Sequence, residues 1–254
     1  MASNAAQLFE YMSLIGQLKQ VQRTGWVRRG VTRPESVADH MYRVAMMAML
    51  APPELNTDRC VKMALVHDMA ECIVGDLTPT DGVSKEEKHR QEEAATKHMC
   101  SLLDEPLSTQ LFQLWQDYED QASGEAKFVK DLDRLDMVMQ AYEYERQEQR
   151  PGFLQEFFDS TEGKFTTDAV RGWKQHLDNV RQCNAHSVTQ DQHRDADVLK
   201  PGEVRTSDTD KMVLNNVTTS VRVRSPDQTV AATHQTGSVT SRGEGDSSSK
   251  GSSE

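Results

Sequence analysis

No phenylalanine, tyrosine or tryptophan occurs after Trp173, although the chain runs to 254 residues. From Ala185 onward Ser and Thr make up 20 of 70 residues. Such a stretch cannot bury enough apolar surface to offset its ordering entropy. Residues 185–254 are therefore expected to form a disordered low-complexity tail. The folded domain is then residues 4–183, enough for one sizeable core.

Other absences narrow the class. The four cysteines, Cys60, Cys72, Cys100 and Cys183, form no Cys-x-x-Cys pair. That spacing fits reduced thiols in a cytoplasmic protein rather than a disulfide framework. Residues 1–20 carry Glu10 and no continuous apolar core, so no signal peptide is expected. The longest apolar run, residues 44–51, is too short to span a bilayer. There is no dense basic patch. The net charge is −11, of which −9 falls before residue 185. This balance speaks against a nucleic-acid polymer or an anionic membrane as partner. A small anionic substrate stays open, because a bound metal can invert the local field.

No run alternates apolar and polar residues as a strand does, so the expected class is all-α. Leu8, Tyr11, Met12, Ile15 and Leu18 repeat with helical period over residues 4–20. Residues 21–35, with two glycines, Pro34 and four arginines, read as a loop. Ser36 and Asp39 have capping-box spacing and open a helix that stops before Pro52-Pro53. Asp58 is a candidate N-cap for a third helix that ends before Gly75. Residues 76–83 are turn-rich. Ser84 with Glu87 opens a charged helix over 85–103, and further helices are expected over 107–118, 125–144 and 167–183. Phe128, Leu132, Leu135 and Met139 share one face. Lys85, Lys88, His89 and Arg90 read as a solvated face, with Lys85 a minor candidate for a lid contact.

The third helix holds the most informative pair. His67-Asp68 interrupts the apolar run Ala64-Leu65-Val66 and Met69-Ala70. Titrating groups are costly to bury unless something compensates them. A divalent cation does so, since imidazole nitrogen and carboxylate oxygen both ligate it. A lone His-Asp pair is common and usually means nothing. Here Glu71 follows at helical spacing, and a loop opens at Gly75-Asp76. His40 and one of Asp131, Asp133 or Asp136 must come from other helices, as bundle folds build metal sites. Such a centre lowers the pKa of water and shields phosphate charge.

Taken together, these residues carry a resemblance. His40, His67-Asp68 and Asp133 resemble the H…HD…D signature of the HD superfamily of metal-dependent phosphohydrolases. Glu-Ser-Val-Ala-Asp-His (35–40), His-Asp-Met-Ala-Glu (67–71), Gly-Asp-Leu (75–77) and Ala-Lys-Phe-Val-Lys-Asp-Leu-Asp (126–133) are similar to its 5′-deoxynucleotidase branch. The likeness covers about residues 8–165, with a motif core of about 36–138. It implies an HD-domain helical bundle that hydrolyses deoxyribonucleoside 5′-monophosphates to deoxyribonucleosides and phosphate, with Mn²⁺, Co²⁺ or Mg²⁺, as a cytoplasmic homodimer.

The resemblance also implies roles. His40, His67, Asp68 and Asp133 would hold the principal ion. Glu71 and Asp76, with the Leu77 carbonyl, would hold a second cation or act on substrate. Glu71 is the expected proton-transfer group and Asp76 the sugar-reading residue. Arg23, Trp26, His40, Asp76, Leu77 and Thr78 are the substrate-binding candidates. Trp26 is also a candidate core anchor. In similar bacterial enzymes an Arg directly precedes the Trp. Gly25 holds that place here, so Arg23 or Arg28 has to substitute. The competing readings are another HD phosphohydrolase, acting on cyclic nucleotides, triphosphates or alarmones, and a non-catalytic nucleotide-binding scaffold.

Overall fold

The computed structural model describes residues 5–197, with side chains as far as Asn184. In chain order the helices are α1 (Ala5–Gln17), α2 (Thr24–Arg28), α3 (Val37–Ala48), α4 (Thr57–Ala64), α5 (Glu71–Val74), α6 (Lys85–Ser101), α7 (Leu107–Asp120), α8 (Gly124–Gln147), α9 (Gln155–Thr161) and α10 (Asp168–Asp197). Among the described residues there is no strand, only one isolated bridge between Gln22 and Ser36. The class is all-α.

α8 is the axis of the bundle. It packs against α3, α4, α7, α9 and α10. Its apolar residues are buried on several sides rather than along one stripe, as expected of a helix enclosed by others. Phe128, Leu132 and Leu135 are buried, and Met139 is half-buried against the same core. α1 lies at the edge. None of its own residues is buried, while Leu18, one residue past its end, is.

Local signals account for most boundaries. The Ser36 hydroxyl accepts from the Asp39 N–H while the Asp39 carboxylate accepts from the Ser36 N–H, which closes the capping box of α3. Ser84 caps α6 through the Glu87 N–H, and Ser123 caps α8 through the Ala126 N–H. The Glu87 carboxylate does not return to its cap. It accepts from Arg90 and Gln91 instead.

Four boundaries depart from expectation. The third helix is not continuous. α4 is capped by Asn56, not Asp58, and stops at Ala64. Residues 65–70 then run as tightened turns with i→i+3 bonds, such as Val66 N–H to the Met63 carbonyl and Glu71 N–H to the Asp68 carbonyl. Over so short a span a 3₁₀ path and an α-helix show the same apolar spacing, so periodicity does not separate them. α2 forms inside the stretch read as a loop, because Trp26 is driven into the core. α9 is fastened by Phe158 in the same way. Finally, α10 continues past residue 183 to Asp197, since neither proline nor glycine occurs between Trp173 and Lys200. The expected disorder over 198–254 lies outside the described residues.

Candidate metal centre

His40 comes from α3, His67 and Asp68 from the tightened turns after α4, and Asp133 from α8. His40 Nδ1 donates to Asp136 Oδ2 at 2.7 Å, and His67 Nδ1 donates to the Ala64 carbonyl at 2.8 Å. These bonds fix both rings, so both Nε2 atoms point the same way, 3.3 Å apart. Asp133 Oδ1 stands 3.3 Å from His40 Nε2, and Asp68 Oδ2 stands 3.5 Å from it. Asp68 Oδ2 is also 3.3 Å from His67 Nε2.

The three α8 aspartates, left open by spacing, divide their work by rotation. A helix turns about 100° per residue. Asp133 and Asp136 therefore share a side, and Asp131 faces away. Asp131 Oδ2 accepts from the Thr166 and Thr167 N–H groups at 2.8 and 2.7 Å and from both hydroxyls, tying the start of α10 to α8. Asp136 orients His40 and is gripped by Arg43 through its other oxygen. Asp133 points its Oδ1 at the centre. Its Oδ2 is held by the Tyr118 hydroxyl at 2.7 Å and the Lys130 ammonium at 3.1 Å.

Two imidazole nitrogens and two carboxylate oxygens thus meet, with His40, His67 and Asp133 braced from behind. Their lone pairs repel unless a positive charge sits among them. The donor set fits a divalent cation, and the bracing is the outer support that such ligands use. The electrostatics agree. Burial and the Arg23 charge work against a proton on His40, yet its bonds to Asp133 and Asp136 hold its pKa up at about 9. Burial likewise opposes ionisation of Asp133, but the Lys130 ammonium and the two imidazoles hold it well below the usual carboxylate range.

Glu71 borders this cluster. The Glu71 N–H donates to the Asp68 carbonyl at 3.0 Å, one tight turn after the ion-facing Asp68. Glu71 is buried, and its Oε2 has no hydrogen-bond partner among the described residues. Burial first, then the charges of Asp68 and Asp76, push its carboxyl well above the ordinary range.

Asp76 lies just beyond Gly75, which takes a left-handed φ of 77° and turns the chain out of α5. Arg23 Nη1 lies 3.4 Å from Asp68 Oδ2 and 3.7 Å from Asp76 Oδ1. Arg28 is engaged elsewhere, with Thr78, Thr80 and Asp81. Of the two arginines, Arg23 is the one that faces the cluster. A Cβ on Gly25 would press on the Phe157 ring at 3.2 Å. That crowding leaves no easy place for an arginine at position 25.

Three expected residues sit differently from their assigned places. Trp26 is a core anchor, not a platform for sugar or base. It is 2% exposed, packed between Tyr144 and Phe157, with its Nε1 donating to Glu35 at 3.0 Å. The Leu77 carbonyl, expected to face a second ion, accepts from the Lys88 ammonium at 2.9 Å. Lys88 is therefore not merely a solvated face. The Thr78 hydroxyl is committed to Asp81 at 2.8 Å and to Arg28 at 2.7 Å. Tyr118, Lys130 and Lys88 were missed from sequence because each meets the site through a fold-made contact.

A model of the HD domain matches residues 15–173. This chain belongs to the HD-domain family. It is 53% identical over 190 residues to the 5′-deoxynucleotidase HDDC2 of Homo sapiens, covering 74% of this chain and 93% of that relative. It is 41% identical to the 5′-deoxynucleotidase hdd1 of Schizosaccharomyces pombe, covering 68% of this chain and 89% of that relative. Within the HD-domain family it lies in the 5′-deoxynucleotidase branch. A conserved hypothetical protein from Pyrococcus furiosus shares the fold with a TM-score of 0.56 at 31% identity, covering 68% of this chain and 99% of that one.

Proposed function

We propose that this HD-domain protein is a metal-dependent 5′-deoxynucleotidase. The observation that carries the reading is the convergence of His40 Nε2, His67 Nε2, Asp68 Oδ2 and Asp133 Oδ1 within 3.5 Å of their neighbours. The high identity to 5′-deoxynucleotidases supports the substrate class.

His40, His67, Asp68 and Asp133 would hold a divalent ion: Mn²⁺, Co²⁺ or Mg²⁺. When bound, that ion supplies Lewis acidity to water and to the phosphoryl oxygens. The chain does the rest. The Arg23 guanidinium, beside Asp68 and Asp76, pairs with the phosphate. Glu71, buried and raised, carries a proton to the leaving 5′-oxygen. Asp76 keeps its Oδ1 toward the substrate side and accepts the 3′-hydroxyl of the sugar, where a 2′-hydroxyl crowds it. His40 also borders the phosphate. Leu77 and Thr78 shape the loop beside it.

The same reading includes location and assembly. Cys60, Cys72 and Cys100 are buried free thiols, which supports a reducing compartment, the cytoplasm. No helix of the described residues is long and apolar enough to cross a membrane. Leu8, Phe9 and Met12 on α1, with Tyr42, Met46, Met49 and Leu50 along α3 and its end, stand exposed. Apolar surface of this extent supports a homodimer.

The test is a metal-free preparation assayed on dAMP and AMP, with and without added Mn²⁺. The expected result is hydrolysis of dAMP that depends on added metal and is much slower on AMP. Equal rates on the two nucleotides, or turnover without metal, overturn the reading.

A further inference from the structure

Asp76 does not stand by itself. Its carboxylate Oδ2 accepts from the Thr24 N–H at 2.6 Å, and its backbone carbonyl accepts from the Thr24 hydroxyl at 2.7 Å. One residue thus grips both ends of Asp76 across 52 positions of sequence. The grip leaves Oδ1 turned toward the Arg23 guanidinium, 3.7 Å away. Four residues further on, Arg28 binds the same loop through Thr78, Thr80 and Asp81. α2 and the loop after Gly75 are therefore one clasp. Thr24 is its inner pin and Arg28 its outer one.

We propose that Thr24 is a positioning residue: it fixes the height and rotation of Asp76 and thereby sets discrimination between deoxyribose and ribose. The inference rests on the sugar-reading role proposed for Asp76. A filter that separates a hydrogen from a hydroxyl works by polar reach and steric exclusion together. Misplacing such a group by about 1 Å can cost about a hundredfold. Asp76 follows Gly75, whose left-handed φ turns the chain out of α5, so Asp76 lies beyond the helix hydrogen bonds that hold Gly75. The Thr24 hydroxyl supplies the missing restraint at the Asp76 carbonyl. Arg23 gains from the same arrangement, since the residue that holds Asp76 is its chain neighbour. Phosphate and sugar recognition are then set at a fixed distance from each other by two consecutive residues.

The test compares the wild-type chain with Thr24→Val, which keeps shape and the backbone N–H, and with Thr24→Ser, which restores the hydroxyl. Rates on dAMP and AMP, bound Mn²⁺ and the thermal midpoint are measured for each. Thr24→Val is expected to lower kcat/KM on dAMP about tenfold, the worth of one hydrogen bond at this scale. The dAMP-to-AMP ratio should fall by about the same factor. Metal content should stay at the wild-type level, and Thr24→Ser should return both rate and ratio. If Thr24→Val does not fold, Thr24→Ala against Thr24→Ser makes the same comparison. An unchanged ratio in Thr24→Val overturns the inference. So does a loss that falls equally on dAMP and AMP, or one that Thr24→Ser shares. A wild-type chain inactive on dAMP overturns the deoxynucleotidase reading and this inference with it. An active, discriminating wild type with an unaffected Thr24→Val overturns this inference alone.

Discussion

The floor and the rim of the site are built differently. The floor is His40 on α3 and Asp133 on α8, two long helices that pack directly on each other. Each of its side chains is braced by others: His40 by Asp136 and Arg43, Asp133 by Tyr118 and Lys130. The rim is Arg23, Glu71 and Asp76, carried by short or irregular pieces: the five-residue α2, the four-residue α5 and the loop after Gly75. The floor is suited to holding an ion in one geometry. The rim is suited to meeting a substrate, because cross-links between α2 and the loop after Gly75, rather than a long helix, hold its groups in place. Precise sites sit best on regular elements, and groups that contact ligands concentrate on loops that a scaffold positions.

Asp68→Ala should disable the floor, because Asp68 and His67 complete the donor set that His40 and Asp133 begin. The substitution removes one of four converging donors and leaves Arg23 short of a partner. Bound metal should drop to background by elemental analysis, with no measurable hydrolysis of dAMP. Full occupancy and turnover in this variant contradict the site. Glu71→Gln should spare the floor and disable the rim. Turnover should fall roughly a hundredfold to ten-thousandfold, the usual range for lost acid–base help. Metal content should be nearly intact. If the metal is lost as well, Glu71 belongs to the floor.

How much of this division was legible in the sequence depended on range. His67-Asp68 stood out because apolar neighbours surround it, and Ser36–Asp39 gave the start of α3 because capping is local. Choosing Asp133 over Asp131 and Asp136 needed the family resemblance, since all three lie within six residues of one helix. The structure supplies the physical reason: Asp133 meets the Nε2 side of His40, Asp136 its Nδ1 side, and Asp131 neither. Trp26 illustrates the opposite case. An aromatic beside arginines suits either a binding platform or a core, and only the packing of Phe157 and Tyr144 settles which. The break at residues 65–70 was hidden because hydrophobic spacing does not record which carbonyl an N–H bonds. Lys88, Tyr118 and Lys130 reach the site from α6, α7 and α8 through contacts that no local pattern encodes.

Asp136→Asn tests the bracing behind the floor. It keeps the shape but removes the charge that orients His40 and pairs with Arg43. Metal affinity should weaken about tenfold to a hundredfold, as for other outer-support groups. Titration of the metal-free chain with Mn²⁺ measures it. An unchanged affinity means that His40 is positioned by packing alone.

The smallest effect is expected from deleting residues 185–254. Among the described side chains, Leu177 and Val180 are the last apolar residues of α10 that pack on the core. All floor and rim residues precede residue 134. The thermal midpoint and the rate on dAMP should both match the full chain. A midpoint lower by many degrees places the domain boundary further along.

α8 also constrains how such a chain can vary. Three aspartates within six positions serve three directions: the α10 start, the ion-facing cluster and the His40 ring. One residue inserted between Phe128 and Asp131 turns everything after it by about 100°. All three attachments are then misaligned in a single event, with the Phe128 side left behind. Insertions and deletions in that half of α8 are therefore excluded together, whereas a substitution perturbs one attachment at a time. The register of the three aspartates against Phe128 is what lineages of this chain must inherit unchanged.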